Sequence, residues 1–173
     1  MRRTKIAGVY KEKNQLFTEK NERGKGEKIH GEKIVKYKNR EYRSWNPYKS
    51  KLAAAILNGL KIELKKDFDV LYLGAATGTT VSHISDICKE GLVYAVEFSP
   101  VSMKKLVELS EHRNNIIPIL ADASHPDRYN VIVSQVDFVY QDISQRNQAE
   151  IFITNVSNYL KKTGFSVLMV KAR

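Results

Sequence analysis

With 173 residues and a 42% apolar share, the chain can build the core of one domain, or of one domain with a small appendage. No apolar run is long enough to span a membrane, and the opening MRRTKIAGVY lacks the apolar region of a signal peptide. The lone cysteine, Cys88, excludes an internal disulfide and any cysteine-rich metal site, and points to a reducing compartment, the cytosol.

All of the +10 formal charge lies in the first third. Residues 1–51 carry 16 Lys and Arg against 6 Glu, whereas residues 52–173 carry 13 of each sign. A basic region joined to a neutral body points to a polyanion partner, because Lys and Arg release counterions from phosphates. A solvated basic face explains the excess equally well. Within this region IAGVY and QLF read as short strands, NERGKGEK as a turn, and EKIVKYK alternates apolar and polar positions. No helical period precedes Trp45, so residues 1–45 are expected to form a small antiparallel β domain.

Asn46-Pro47 predicts a helix start, with Asn as N-cap and Pro at the first helical position; Leu52, Ala55, Ile56, Gly59 and Leu60 would face the core. Lys49 and Lys51 fall in its first turns, at the positive end of the helix dipole, where cations are disfavoured. That broken rule points weakly to function; position alone favours the plainer reading of two exposed lysines.

Strands and helices then alternate. Strands are predicted at Val70–Leu73, Leu92–Glu97, Ile116–Leu120, Asp137–Tyr140 and Phe165–Val170. One helix covers Thr79–Cys88, with Cys88 as a buried thiol on its apolar spacing. A second is capped by Ser99-Pro100 and carries Met103, Leu106 and Val107. A third carries Ala149, Phe152, Ile153, Val156, Tyr159 and Leu160 and is closed by Gly164. The order implies an α/β domain with a parallel sheet covered on both faces and a ligand site outside the carboxyl ends of its strands. The last strand is apolar and the sequence stops three residues after Val170, which leaves an uncovered edge; further strands, or a partner that supplies them, are expected.

The carboxyl ends of these strands carry the chemistry. The first leads into Gly74-Ala75-Ala76-Thr77-Gly78-Thr79-Thr80, a loop poor in side chains that lets a ligand press against backbone N–H groups. It is not the dinucleotide pattern, because Ala76 replaces the second glycine, and such a loop can be an ordinary strand–helix turn. Glu97, 19 residues past Gly78, can accept from ribose hydroxyls. Asp122, in Leu120-Ala121-Asp122-Ala123, can accept from an adenine amine, and Asp142 points at the same cleft. The set suggests an adenosine-bearing ligand, although Asp122 and Asp142 singly could be helix caps. Lys51, Asp142 and Lys171 would converge near the cleft if the first helix packs beside the fourth strand, and two amines around a carboxylate suit activation of an alcohol. By spacing alone that trio is speculation. His30, His83, His112 and His125 show no metal-ligand spacing, so no metal is expected. Walker and serine-elbow motifs are also missing.

YRSWNPYKSKLAAAI, VLYLGAATGTTVSHISDI, VYAVEFSP, NIIPILADASHP and VDFVYQDISQ resemble the fibrillarin family, in its archaeal form without a Gly/Arg-rich tail. The resemblance runs from about Gly8 to Arg173. It implies a class I, Rossmann-like S-adenosylmethionine-dependent methyltransferase domain over residues 46–173, behind the small β domain. It also implies 2′-O-methylation of ribosomal and, in some cases, transfer RNA. The implied partners are a box C/D guide RNA, a scaffold protein and a kink-turn-binding protein. By the family's motifs Gly74, Ala75, Gly78, Thr79 and Thr80 form the cofactor loop, Glu97 and Phe98 hold ribose and adenine, and Asp122 and Ala123 meet the base. Asp142, Ile143, Ser144 and Gln145 line the methionine part, and Lys51, Asp142 and Lys171 occupy the catalytic positions. The family continues past Lys171 with further strands, so the resemblance implies a chain truncated at its C-terminal end. The alternatives are a non-catalytic RNA-binding assembly subunit, disfavoured by the presence of all three catalytic positions, and a methyltransferase acting on protein or a small molecule, disfavoured by the basic N-terminal third. A nicotinamide-dependent dehydrogenase is disfavoured by Ala76 and Asp122.

Overall fold

The computed structural model describes residues 1–20 and 31–170. Lys171, His30 and the turn expected at NERGKGEK lie outside the described residues.

The basic region is a sheet built from β1 (Arg2–Arg3), β2 (Val9–Glu12), β3 (Gln15–Glu19), β4 (Ile34–Tyr37) and β5 (Arg40–Trp45). All its pairings are antiparallel, in the order β1-β2-β3-β5-β4. Asn39 suits the tight β4–β5 turn, where Lys38 and Asn39 both have positive φ. Leu16 pairs directly opposite Trp45, and both are fully buried.

The helix expected from Asn46 starts four residues later, as α1 (Lys51–Leu57). Asn46 instead closes a turn on itself: its Oδ1 accepts from the Tyr48 N–H at 2.9 Å and its carbonyl from the Lys49 N–H. An Asn side chain that bonds its own backbone in this way competes with helix formation. Ser50, in extended conformation, is the true cap and accepts from the Ala53 N–H at 3.3 Å. Gly59 ends the helix with φ +100 and is not part of its buried face.

A second sheet holds β6 (Val70–Leu73), β7 (Val93–Glu97), β8 (Ile116–Leu120), β9 (Val136–Gln141) and β10 (Leu160–Leu168), all parallel, in the order β10-β9-β6-β7-β8. β6 is buried on both faces. Val70 and Tyr72 join the core that contains Trp45 and Leu52, whereas Leu71 and Leu73 join the opposite core with Tyr94 and Ile151. The intervening helices are α2 (Thr79–Ile87), α3 (Pro100–Glu111) and α4 (Gln148–Tyr159). Ser99 caps α3 with Pro100 behind it, as expected.

Two expectations at the C-terminal side are corrected. α4 buries Ile151, Asn155 and Tyr159 and leaves Ile153 64% exposed, because Asn155 is tied inward by bonds to the Ala123 and Ile151 carbonyls. Gly164 does not close α4: the helix gives way at Leu160 to β10, and Gly164 lies inside that strand, where a Cβ would sit 2.8 Å from the Asp137 carbonyl oxygen. The register slips between Leu160 and Phe165, so an irregular stretch precedes the regular pairing.

The first sheet is fastened to α2 by a buried ionic cluster. Asp86 of α2 accepts from Arg43 Nη1 and Arg113 Nη1, both at 2.6 Å, and from Thr18 Oγ1 at 3.0 Å. Arg43 also reaches Glu32 and the Ser82 hydroxyl, and His83 stacks on Trp45. Burial pulls the Arg113 guanidinium below its ordinary value, partly offset by Asp86. Burial pushes the Cys88 thiol up to about 12, which makes it inert packing. No helix among the described residues is long and apolar enough to cross a membrane.

Candidate active site

The chain runs from β6 outward through β7 to β8, then returns to place β9 on the other side of β6. A crevice opens where the direction reverses, at the carboxyl ends of β6 and β9. Gly74 leaves β6 with φ +83, and a Cβ there would sit 2.5 Å from the Asp142 carbonyl oxygen and 2.8 Å from Ile143 Cγ2. Only glycine lets the two loops touch. Ala76 also has positive φ, and its N–H donates to Glu97 Oε2 at 2.7 Å, while Oε1 accepts from the Ser99 N–H at 2.7 Å. Glu97 therefore ties the loop after β6 to the one after β7.

The cleft above these ends measures about 420 Å³, within the range of small-molecule sites. It is lined by Gly74, Ala76, Val96, Glu97, Phe98, Ala121, Asp122, Ala123, Asp142, Ile143, Ser144 and Gln145. The expected residues from all four loops thus meet in one place. Four others do not line it. Ala75 is packed in the core. Gly78 caps α2 in left-handed conformation, against the Leu106 and Leu109 side chains of α3. Thr79 begins α2, and the buried Thr80 turns its hydroxyl away to Ser50. Ala76, Val96 and Ala121 are additional lining residues. Of these, Ala76 carried a signal, as the small residue that broke the dinucleotide pattern.

Hydrogen bonding sets the character of the cleft. The Ser124 backbone N–H, at 2.9 Å from Oδ1, holds the Asp122 carboxyl below its ordinary value, with a further bond from Gln145 Nε2 at 3.3 Å. Gln145 Oε1 is buried without a partner among the described residues. At the edge of the cleft Lys51 Nζ donates to Asp142 Oδ1. Their side chains are 43% and 19% exposed, and the second oxygen of Asp142 accepts no hydrogen bond among the described residues. Two of the expected catalytic positions therefore meet across 91 residues of sequence. The third, Lys171, lies outside the described residues.

Buried hydroxyls lie near Asp142. Thr80 Oγ1 donates to Ser50 Oγ at 2.9 Å. The Tyr72 and Tyr140 rings pack at 4.7 Å, and burial pushes both phenols well above their ordinary range, with the Asp142 charge adding to the shift. Sequence reasoning missed Ser50, although a serine directly before a helical period is a capping signal.

The family model of fibrillarin matches residues 1–173. The fibrillarin-like rRNA/tRNA 2′-O-methyltransferase of Methanocaldococcus jannaschii is 52% identical over 150 residues, which is 86% of this chain and 65% of that protein. Aeropyrum pernix fibrillarin, in complex with natively bound S-adenosyl-L-methionine, superposes with a TM-score of 0.85 at 44% identity, covering 92% of this chain and 69% of the other. The fibrillarin of a fibrillarin/Nop5p complex gives a TM-score of 0.84 at 48% identity, with 94% of this chain and 74% of the other covered. This chain therefore spans about two thirds to three quarters of the length of these relatives. Both sheets, the crevice and the sequence agree: the chain belongs to the fibrillarin family.

Proposed function

We propose that the chain is the S-adenosylmethionine-dependent part of an RNA 2′-O-methyltransferase that acts on ribosomal and transfer RNA. The observation that carries this reading is the Lys51–Asp142 ion pair on the rim of a cleft lined from four successive loops. The relatives' activity, and the cofactor bound to the Aeropyrum protein, support it.

The cleft fits the cofactor on its own evidence. A Cβ at Gly74 would push apart the loops that form it, and the buried Gln145 Oε1 lacks a donor among the described residues. Glu97 would take the ribose hydroxyls, Phe98 and Ala123 would flank the adenine, and Asp122 would accept from its amine. Gly74, Asp142, Ile143, Ser144 and Gln145 would hold the methionine part. When bound, the cofactor supplies an electrophilic methyl group on a sulfonium.

The chain's own part is to present a ribose 2′-hydroxyl in line with that group and to ease loss of its proton. The Asp142 oxygen that Lys51 does not take accepts from the hydroxyl and fixes its direction. Lys51 holds Asp142 in place, and Lys171 is assigned the proton.

The polyanion partner has a surface to meet. Arg2, Arg3, Lys5, Lys11 and Lys61 line one groove, and none pairs with a carboxylate among the described residues. A scaffold of the Nop5p kind, a guide RNA and a kink-turn-binding protein complete the proposed particle, in the cytosol of an archaeal cell; this chain contributes a small β domain, residues 1–45, and a methyltransferase domain, residues 46–173. Particles reconstituted with guide RNA should methylate a matched target, and Asp142→Asn should stop transfer while assembly persists. Wild-type rates from Asp142→Asn would move the chain to the assembly role.

A further inference from the structure

α1 has seven residues, too few to hold its own shape or place without tertiary ties. Its first residue is Lys51, flanked by Ser50 and Leu52, which are 3% and 0% exposed. The lysine backbone is therefore fixed from both sides while its side chain leaves for Asp142. Ser50 Oγ accepts twice: from the Ala53 N–H, which caps α1, and from Thr80 Oγ1 of α2. Thr80 lies two residues past Gly78, where the cofactor loop becomes helix. A Ser–Thr bond thus joins the start of the helix that carries Lys51 to the start of the helix that the loop feeds. Tyr72 of β6 packs on Tyr140 of β9, and its hydroxyl also meets Thr80. A cap alone needs only the Ser50 oxygen, and a Thr on a helix can satisfy its hydroxyl on its own backbone. Here the hydroxyl crosses to another element in a buried setting, where a missing partner is costly.

We propose that Thr80 and Ser50 are positioning residues, a hydroxyl clasp that couples the Gly74–Gly78 loop to the placement of Lys51 over Asp142. The proposal rests on the reading of this cleft as the methyl donor's site. When the loop closes on a ligand, α2 carries Thr80, Thr80 carries the α1 cap, and Lys51 follows.

The test uses the full chain and S-adenosylhomocysteine, with Lys51 followed by amine labelling and mass spectrometry and affinity by calorimetry. In the wild type, saturation should change the Lys51 labelling rate by about fivefold or more. Thr80→Val should abolish that response while affinity stays within about threefold, and Thr80→Ser, which restores the hydroxyl, should recover it. Ser50→Gly is the second variant: glycine is tolerated at an N-cap but has no oxygen for Thr80, so it too should lose the response. A full response in either variant overturns the clasp, as does no response in the wild type. An affinity loss of more than about tenfold in Thr80→Val also overturns it, because the hydroxyl would then serve the ligand itself. Methylation is a separate readout: a wild type that binds the ligand and shows the Lys51 response, yet never methylates RNA in the particle, sinks the proposed function and leaves the clasp standing.

Discussion

Two aspartates in this molecule face cations, and they are built in opposite ways. Asp86 is fully buried, and its two oxygens accept from two guanidiniums and a threonine hydroxyl. Asp142 sits at a rim, gives one oxygen to a half-exposed lysine and leaves the other without a hydrogen bond among the described residues. A carboxylate whose acceptor sites are spent on fixed donors is a fastener, since breaking it strands charges that have lost their water. A carboxylate with a vacant oxygen toward a cleft can take a proton or orient a hydroxyl. The lesson is that saturation and access, rather than charge pairing, separate structure from chemistry here.

The contrast breaks most sharply in activity. Asp142→Asn keeps the shape and removes the charge, so methyl transfer in the particle should fall by about 10²–10⁴-fold, with the midpoint of thermal unfolding almost unmoved. A large loss of stability instead would class Asp142 with Asp86. The reverse substitution, Asp86→Ala, leaves Arg43 and Arg113 buried without their shared carboxylate and should cost roughly 3–5 kcal/mol in denaturant unfolding. Hydrogen exchange should rise along the seam between β3, β5 and α2. A cost below about 1 kcal/mol would mean that Glu32 and water satisfy the guanidiniums.

Gly74→Ala tests the ground between the two. The new Cβ meets the Asp142 backbone, at a φ that side chains disfavour, so a penalty of about 1–3 kcal/mol is expected. Affinity for S-adenosylhomocysteine should drop steeply, because the loops after β6 and β9 must separate. Wild-type affinity in a well-folded Gly74→Ala would remove the floor of the cleft from the proposed site.

What could be read from sequence follows the range of each interaction. The strand over Val70–Leu73 was visible because parallel strands buried on both faces leave apolar runs, and the loop because glycine and alanine leave a gap in side chains. The α1 start was misread because Asn46-Pro47 imitates a cap, whereas the deciding bond, Asn46 to its own turn, is a local competition that residue type cannot settle. The buried face of α4 was misread because its central member is Asn155, a polar side chain satisfied only by tertiary contacts. The Asp86 cluster left no sequence mark: its partners stand 27, 43 and 68 positions away. Lys51 and Asp142 are further apart still; strand-end position brought them together only on condition of how the first helix packs, and the family resemblance assigned them.

Asp122 offers the smallest effect and the finest version of the contrast, since it has one saturated oxygen and stands in the cleft. The Ser124 N–H favours its ionised form, which places its folded-state value below the ordinary 3.8. The stabilisation is therefore complete at every pH above the unfolded value, about 3.9, and disappears as pH falls through the folded one. Asp122→Asn lacks it at all pH. The stability gap between wild type and Asp122→Asn should narrow as pH falls below about 4, as followed by urea unfolding at each pH. A gap that widened on acidification would mean that burial outweighs the Ser124 bond. Asp122 would then be a strained carboxylate that only a bound amine relieves, and the cleft's acid would owe its charge to its ligand instead of to its own backbone.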